Sequence, residues 1–171
     1  MQYQITYRNT FKAIDAFIMF TLAMVVLLIY YRNKSGFDQG SISLWSILYL
    51  IFAIPTCFLH LQYYYYNHRC IFNILPEQSK FIWTDKQEKS ETIAFNEISK
   101  IIVFMSPSWY RRSKIRIVPF EDYHYAKIYT SSGREIVITS LMTPRVEDAM
   151  GEIKGVEIER KIKHLGFSFI N

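Results

Sequence analysis

The chain has 171 residues, of which 50% are hydrophobic, and a formal net charge of +5. Its two cysteines, Cys57 and Cys70, lack the spacing of a disulfide scaffold or of a thiolate metal site. The four histidines form no HxxxH or HExxH pattern, and the sequence has no phosphate-binding loop and no GxSxG motif. These features argue against a metalloprotein, a disulfide-rich protein and an enzyme with a known motif, and we expect no cofactor.

Two apolar runs near the N-terminus predict membrane helices at about residues 13–31 and 42–61. Each is close to the roughly 20 residues that a helix needs to cross a hydrocarbon layer about 30 Å thick. The first run lacks the small-residue cleavage pattern of a signal peptide, so we expect it to persist as a helix. The link between the runs is short, which requires an antiparallel hairpin. We therefore divide the chain into residues 1–66, the flank and hairpin, and residues 67–171, one domain.

The orientation of this hairpin depends on the loop charges, which are nearly balanced. Arg8 and Lys12 precede the first run, and Arg32 and Lys34 follow it. The domain that follows carries 16 Lys/Arg residues against 13 Asp/Glu. A short polar loop crosses a membrane more easily than a folded domain, so we expect both chain ends on the cytoplasmic side.

The domain reads as a series of short strands with alternating hydrophobicity, separated by turn residues. Residues 100–105 are apolar on both faces, which predicts a central strand. A single helix is predicted to follow, with Thr143 as its N-cap, Pro144 in its first turn and Gly166 at its end. Gly151 and Gly155 weaken its middle, where it can break into two. The predicted strands are Cys70–Leu75, Lys80–Thr84, Glu91–Phe95, Lys100–Met105, Lys114–Val118, Tyr123–Thr130 and Arg134–Thr139.

The order of these elements resembles a pleckstrin-homology-like domain. The segments 81–102 and 125–141 are similar to bacterial PH-like membrane proteins, in which a two-helix hairpin precedes one such domain. The resemblance implies an α+β fold of about seven antiparallel strands in a bent sheet or partly open barrel, capped by a C-terminal amphipathic helix. It also implies a binding or scaffolding module at the bacterial inner membrane, without catalytic residues. The basic residues do not follow the first-hairpin pattern of phosphoinositide-binding domains.

The densest basic cluster follows two aromatic residues in the loop after the central strand. Cationic side chains are attracted to an anionic leaflet, and Trp and Tyr favour the headgroup region. The cluster is therefore a candidate contact for anionic lipid or for a partner, although a charged edge strand has the same composition. A nucleic-acid site is disfavoured, since the domain has a small net charge and no nucleic-acid motif. The cluster consists of Trp109, Tyr110, Arg111, Arg112, Lys114 and Arg116.

A second candidate is the strand that carries Tyr123, Tyr125 and Tyr129 on one face. These rings can pack beneath another element of the chain, or they can form an exposed face for a partner.

Together these observations predict a non-enzymatic, membrane-anchored module that binds protein or anionic lipid partners. We also expect it to associate with a partner protein or with a second copy of the chain. The alternative is a subunit of a membrane enzyme or transport complex with a site at the junction of hairpin and domain. That site would use Asp15, His60 and His68.

Overall fold

The computed structural model describes residues 1–35, 39–113, 118–163 and 168–170. Two long helices, α1 (Tyr7–Ser35) and α2 (Gln39–Asn67), are long and apolar enough to span a membrane. Both extend beyond the predicted apolar runs at each end, because the residues that flank each run continue the helix. The helices contact each other through the Phe20 and Tyr49 rings, whose centroids lie 6.0 Å apart. The hydroxyl oxygens of Thr21 and Tyr49 are 3.2 Å apart.

The domain contains two four-stranded sheets, and the described residues form no closed barrel. The first sheet has the order β1-β2-β3-β4 and the second has the order β7-β6-β5-β8. Neighbouring strands are antiparallel except for β5 and β8, which are parallel. Two short helices, α3 (Pro107–Tyr110) and α4 (Val146–Gly151), lie in the connections. The strands are β1 (Gln2–Gln4), β2 (Ile71–Leu75), β3 (Lys80–Thr84), β4 (Ser90–Ala94), β5 (Ile98–Met105), β6 (Tyr125–Thr130), β7 (Glu135–Thr139) and β8 (Ile158–Ile162).

The main core lies between the inner faces of the two sheets, as the period-two pattern requires. Phe81 and Trp83 of β3 share one buried face, while Ile82 points to the other face. The predicted central strand is confirmed, since β5 pairs with β6 on one side and with β8 on the other. Helix α4 covers this core with the apolar side chains Val146, Ala149 and Met150.

The predicted long C-terminal helix is wrong. The helix starts at Val146 and ends at Gly151, and residues 158–162 form β8. Gly155 interrupts the segment with a φ of +80°, a backbone conformation that glycine adopts without strain. The four-residue spacing of Ile158 and Ile162 fits a helix and a strand equally, and pairing with β5 decides the outcome. Gly166 and residues 114–117 of the predicted fifth strand lie outside the described residues.

The N-terminal strand β1 was not predicted, because three residues are too short for a periodic signal. It pairs with β2, so the start of the chain joins the first sheet of the domain. The terminal ammonium of Met1 donates to the carbonyl oxygen of Ile74 at 2.7 Å. The Tyr3 ring stacks on Phe72, with 6.1 Å between the ring centroids. The hairpin lies between β1 and β2 in the chain, so its two chain ends are joined to neighbouring strands of the first sheet.

We predict that Tyr3→Ala destabilises the full chain by about 1 to 2 kcal/mol, because it removes the cross-strand pair with Phe72. Denaturant unfolding in detergent micelles measures this loss. Tyr7→Ala is the matched control, since Tyr7 is 89% exposed, and we expect a change below about 0.5 kcal/mol. Equal effects of the two substitutions would show that the Tyr3–Phe72 contact adds no stability.

Candidate membrane-facing site at the junction of hairpin and domain

A short 3-10 turn of the domain, Pro119–Asp122, packs against both long helices. Phe120 is buried there and stacks on Phe52 of α2, with 6.3 Å between the ring centroids. Ala13 of α1 and Leu59 of α2 belong to the same apolar cluster. The domain is therefore packed directly on the helices.

The last turn of α2 is joined to the second sheet through Asn67, which is buried. Its side-chain nitrogen donates to the carbonyl oxygen of Val137 at 2.7 Å, and its side-chain oxygen accepts from the backbone N–H of Thr139 at 2.9 Å. The amide thus pairs with the β7 backbone as a neighbouring strand would. This pairing satisfies two buried backbone groups that would otherwise be costly to leave unbonded.

We predict that Asn67→Ala lowers the free energy of unfolding by about 2 to 4 kcal/mol, because it leaves two buried backbone groups unpaired. Asn96→Ala makes the same truncation at an exposed position and should change it by less than about 0.5 kcal/mol. Denaturant unfolding of the full chain in micelles compares the two variants. A loss below about 0.5 kcal/mol for Asn67→Ala would contradict the assignment.

The C-terminal residues 168–170 lie along α2 and complete the cover of the second sheet. Gln62 donates to the carbonyl oxygen of Ile170 at 2.9 Å and accepts from its N–H at 3.0 Å. The Tyr63 hydroxyl donates to the carbonyl oxygen of Ser168 at 2.7 Å. The outer face of this sheet is thus partly covered by the chain itself.

Two of the three candidate tyrosines are buried in this junction and offer no exposed face to a partner. Tyr123 and Tyr125 are 0% and 1% exposed and pack edge-on against Tyr63. The Tyr123 hydroxyl lies 2.9 Å from Nδ1 of His60, and the Tyr125 hydroxyl donates to the carbonyl oxygen of Phe169 at 3.0 Å. Tyr129 is partly exposed, and Nζ of Lys100 lies 5.3 Å from its ring centroid.

Burial raises the pKa of both Tyr123 and Tyr125 above the ordinary tyrosine value of 10.0. The stabilisation from keeping them neutral is complete below about pH 10 and is lost as the pH rises further, because the unfolded chain ionises first. We predict that the absorbance change of these two tyrosines coincides with alkaline unfolding followed by circular dichroism. In Tyr123→Phe/Tyr125→Phe, that step should lose the signal of two tyrosines. An unchanged step would contradict the assignment.

The aromatic and basic loop that follows β5 is fixed to the Pro119–Asp122 turn by hydrogen bonds from two serines. The Ser106 hydroxyl caps α3 by accepting from the N–H of Trp109 at 3.3 Å and donates to the carbonyl oxygen of Glu121 at 3.0 Å. The Ser108 hydroxyl donates to Oε1 of Glu121 at 2.7 Å. Because Glu121 belongs to the turn that contacts both helices, the position of the loop is set relative to the hairpin.

The candidate residues of the aromatic and basic loop differ in their exposure to solvent. Trp109 is partly buried, with its ring 4.2 Å from that of His124. Tyr110 is 49% exposed, and Arg111 and Arg112 are also exposed. The structure thus places an exposed aromatic ring and two exposed cations on one short loop. Lys114 and Arg116 lie outside the described residues.

The charges on α1 indicate where the hydrocarbon layer begins. No charged residue lies between Asp15 and Arg32, a stretch of about 26 Å at 1.5 Å per residue. This length is close to the roughly 30 Å of a hydrocarbon core. In a membrane spanned by α1, Asp15 and Lys12 would lie at headgroup level on the side of the domain. Trp109 lines one cavity together with both of them, so the loop lies close to this end of the apolar stretch.

Asp15, His60 and His68 do not converge on one site. Asp15 lines a cavity of about 190 Å³ between α1 and the domain, whereas His60 contacts Tyr123. His68 lines a separate groove beside Arg69 and Cys70. Within the described ranges, no group of three or more His, Cys, Asp or Glu residues could hold a metal ion.

A family model described as PH domain matches residues 2–147. The chain belongs to the PH domain family. The match includes β1 and both long helices, so this PH domain is continuous with its hairpin. PH domains often mediate lipid or protein interactions and are generally not catalytic. No curated protein and no solved structure matches the chain.

Sequence reasoning missed Phe120 and Asn67, which fix the domain to the helices. The only sign of Phe120 is an aromatic residue beside two acidic ones in a polar segment. Asn67 follows four tyrosines as an ordinary helix-ending residue, and its role depends on a strand 70 residues further along.

Proposed function

We propose that this protein is a non-enzymatic, membrane-anchored PH domain whose Trp109–Arg112 loop contacts an anionic membrane surface beside the anchor. The observation that supports the proposal is the hydrogen bonding of this loop to the helix-contacting turn, which holds Tyr110, Arg111 and Arg112 beside the domain-side end of the hairpin. Each cation near an anionic leaflet contributes about 1 kcal/mol, and tyrosine favours the headgroup region. We place the protein in the inner membrane with both chain ends in the cytoplasm.

Such a contact would orient the domain on the bilayer and leave its remaining surfaces for a protein partner or a second copy of the chain. The apolar helix faces allow further association within the membrane. Large side chains such as Leu44, Ile51 and Phe58 are exposed on α2.

The alternative, a subunit of an enzyme or transport complex with a site at the junction, has less support. Its three polar residues lie in three different places, and His60 is already engaged with the Tyr123 hydroxyl. A catalytic site would require such groups to converge within hydrogen-bonding distance of one substrate atom.

We predict that a polarity-sensitive fluorophore at position 110 reports the contact in full-length protein reconstituted into nanodiscs. The label is attached to Tyr110→Cys in a Cys57→Ser background. Cys70 is buried and burial raises its thiol pKa, so labelling should spare it. In nanodiscs with phosphatidylglycerol, emission should shift to the blue relative to phosphatidylcholine alone, and salt should reverse the shift.

The charge dependence decides the interpretation. Arg111→Gln/Arg112→Gln should abolish the shift caused by phosphatidylglycerol. Lys89→Gln/Lys154→Gln, which removes two exposed cations elsewhere on the domain, should leave it unchanged. A shift that is independent of anionic lipid, or equal losses in both double variants, would overturn the proposal.

A further inference from the structure

The cavity between α1 and the domain carries charges of both signs at headgroup level. It has a volume of about 190 Å³ and is lined by residues of α1 and of the connection after β7, among others. Asn9 donates from its side-chain nitrogen to the carbonyl oxygen of Met142 at 2.8 Å and holds these two walls together. The cavity is lined by Asn9, Lys12, Ala13, Asp15, Trp109, Asp122, Ser140, Pro144 and Arg145.

Two cations and two carboxylates share this small space. Lys12 and Asp15 lie three residues apart on α1, while Asp122 and Arg145 come from the domain. Arg145 also forms an exposed ion pair with Asp148, at 3.6 Å between Nη1 and Oδ2. Lys12 makes no ion pair with any residue in the described part of the chain, so its ammonium is available to a ligand.

Ser140 lies in the wall of the cavity, with its hydroxyl oxygen buried behind the surface. Ser140 is 3% exposed, and its Oγ has no hydrogen-bond partner among the described atoms. Buried hydroxyl groups are nearly always bonded, because an unpaired one costs free energy.

We propose that this cavity binds the headgroup of a single phospholipid that carries a phosphate and a primary ammonium, as in phosphatidylethanolamine. Lys12 and Arg145 match the phosphate, and Asp15 matches the ammonium, which has N–H groups to donate. A purely anionic headgroup would leave the Asp15 carboxylate without a cation from the ligand. A quaternary ammonium is larger and has no N–H group to donate.

The depth of the cavity supports a lipid as the source of this headgroup. Asp15 is the last charged residue before the apolar stretch of α1, so a ligand at its level keeps its acyl chains beside the helix. Trp109 completes the wall at the depth that indole rings favour. The site goes beyond the proposed loop contact, because Arg111 and Arg112 do not line the cavity.

Native mass spectrometry of the full chain in detergent, titrated with one lipid at a time, tests the proposal. Phosphatidylethanolamine adducts should survive activation at least about tenfold better than phosphatidylcholine or phosphatidylglycerol adducts, as two charge-assisted contacts imply. Free phosphoethanolamine should compete only weakly, since it has no acyl chains to bind. Equal retention of the three lipids would mean non-selective annular lipid and would overturn the proposal.

Charge variants supply the sharper test. Lys12→Gln should reduce phosphatidylethanolamine retention about tenfold, whereas Asp15→Asn should shift the preference towards phosphatidylglycerol. Arg8→Gln on α1 and Glu77→Gln on the domain remove like charges outside the cavity and should change nothing. Unfolding temperatures confirm that each variant is folded. An unchanged lipid preference in a folded Asp15→Asn protein would refute the site, whatever the result for the loop.

Discussion

The attachment of the two long helices to the second sheet is the constraint on which the rest of the structure depends. Tyr125 and Val137 on the outer face of that sheet, and Tyr123 just before β6, are buried beneath Leu59 and Tyr63 of α2. Without this cover, a large apolar surface would face water at a cost of roughly 25 cal/mol per Å². The hairpin is therefore part of the domain's hydrophobic structure as well as its anchor.

Because of this attachment, the domain holds a fixed position relative to the two helices. A domain on a flexible tether can rotate and move away from the bilayer, and its surface charges then act at varying distances. Here the turn that holds Phe120 contacts both helices, and β1 ties the start of α1 to the first sheet. The Trp109 loop and the cavity beside it are therefore fixed in position relative to Lys12 and Asp15 on α1.

The sequence predicted most of the local structure and little of how its parts meet. The boundaries of β3 follow from the alternation of Phe81, Ile82 and Trp83, and β5 was identified as central from its two apolar faces. The C-terminal helix failed because Ile158 and Ile162 fit two periodicities, and only the free edge of β5 favours a strand. Strand β1 and the Asn67 bridge depend on partners about 70 residues away, which a local pattern does not contain.

The same dependence explains why the aromatic residues were difficult to assign from sequence. Tyr63, Tyr64 and Tyr65 look alike as an interfacial belt, yet Tyr63 is 0% exposed and Tyr65 is 71% exposed. The helix places them on different faces, and only the face towards the sheet finds Tyr123 and Tyr125. A domain that begins after α2 would lack both β1 and the Tyr63 ring that packs on Tyr123 and Tyr125. The helices and the domain therefore form one packed unit, in which the position of α2 decides which tyrosines of the belt are buried.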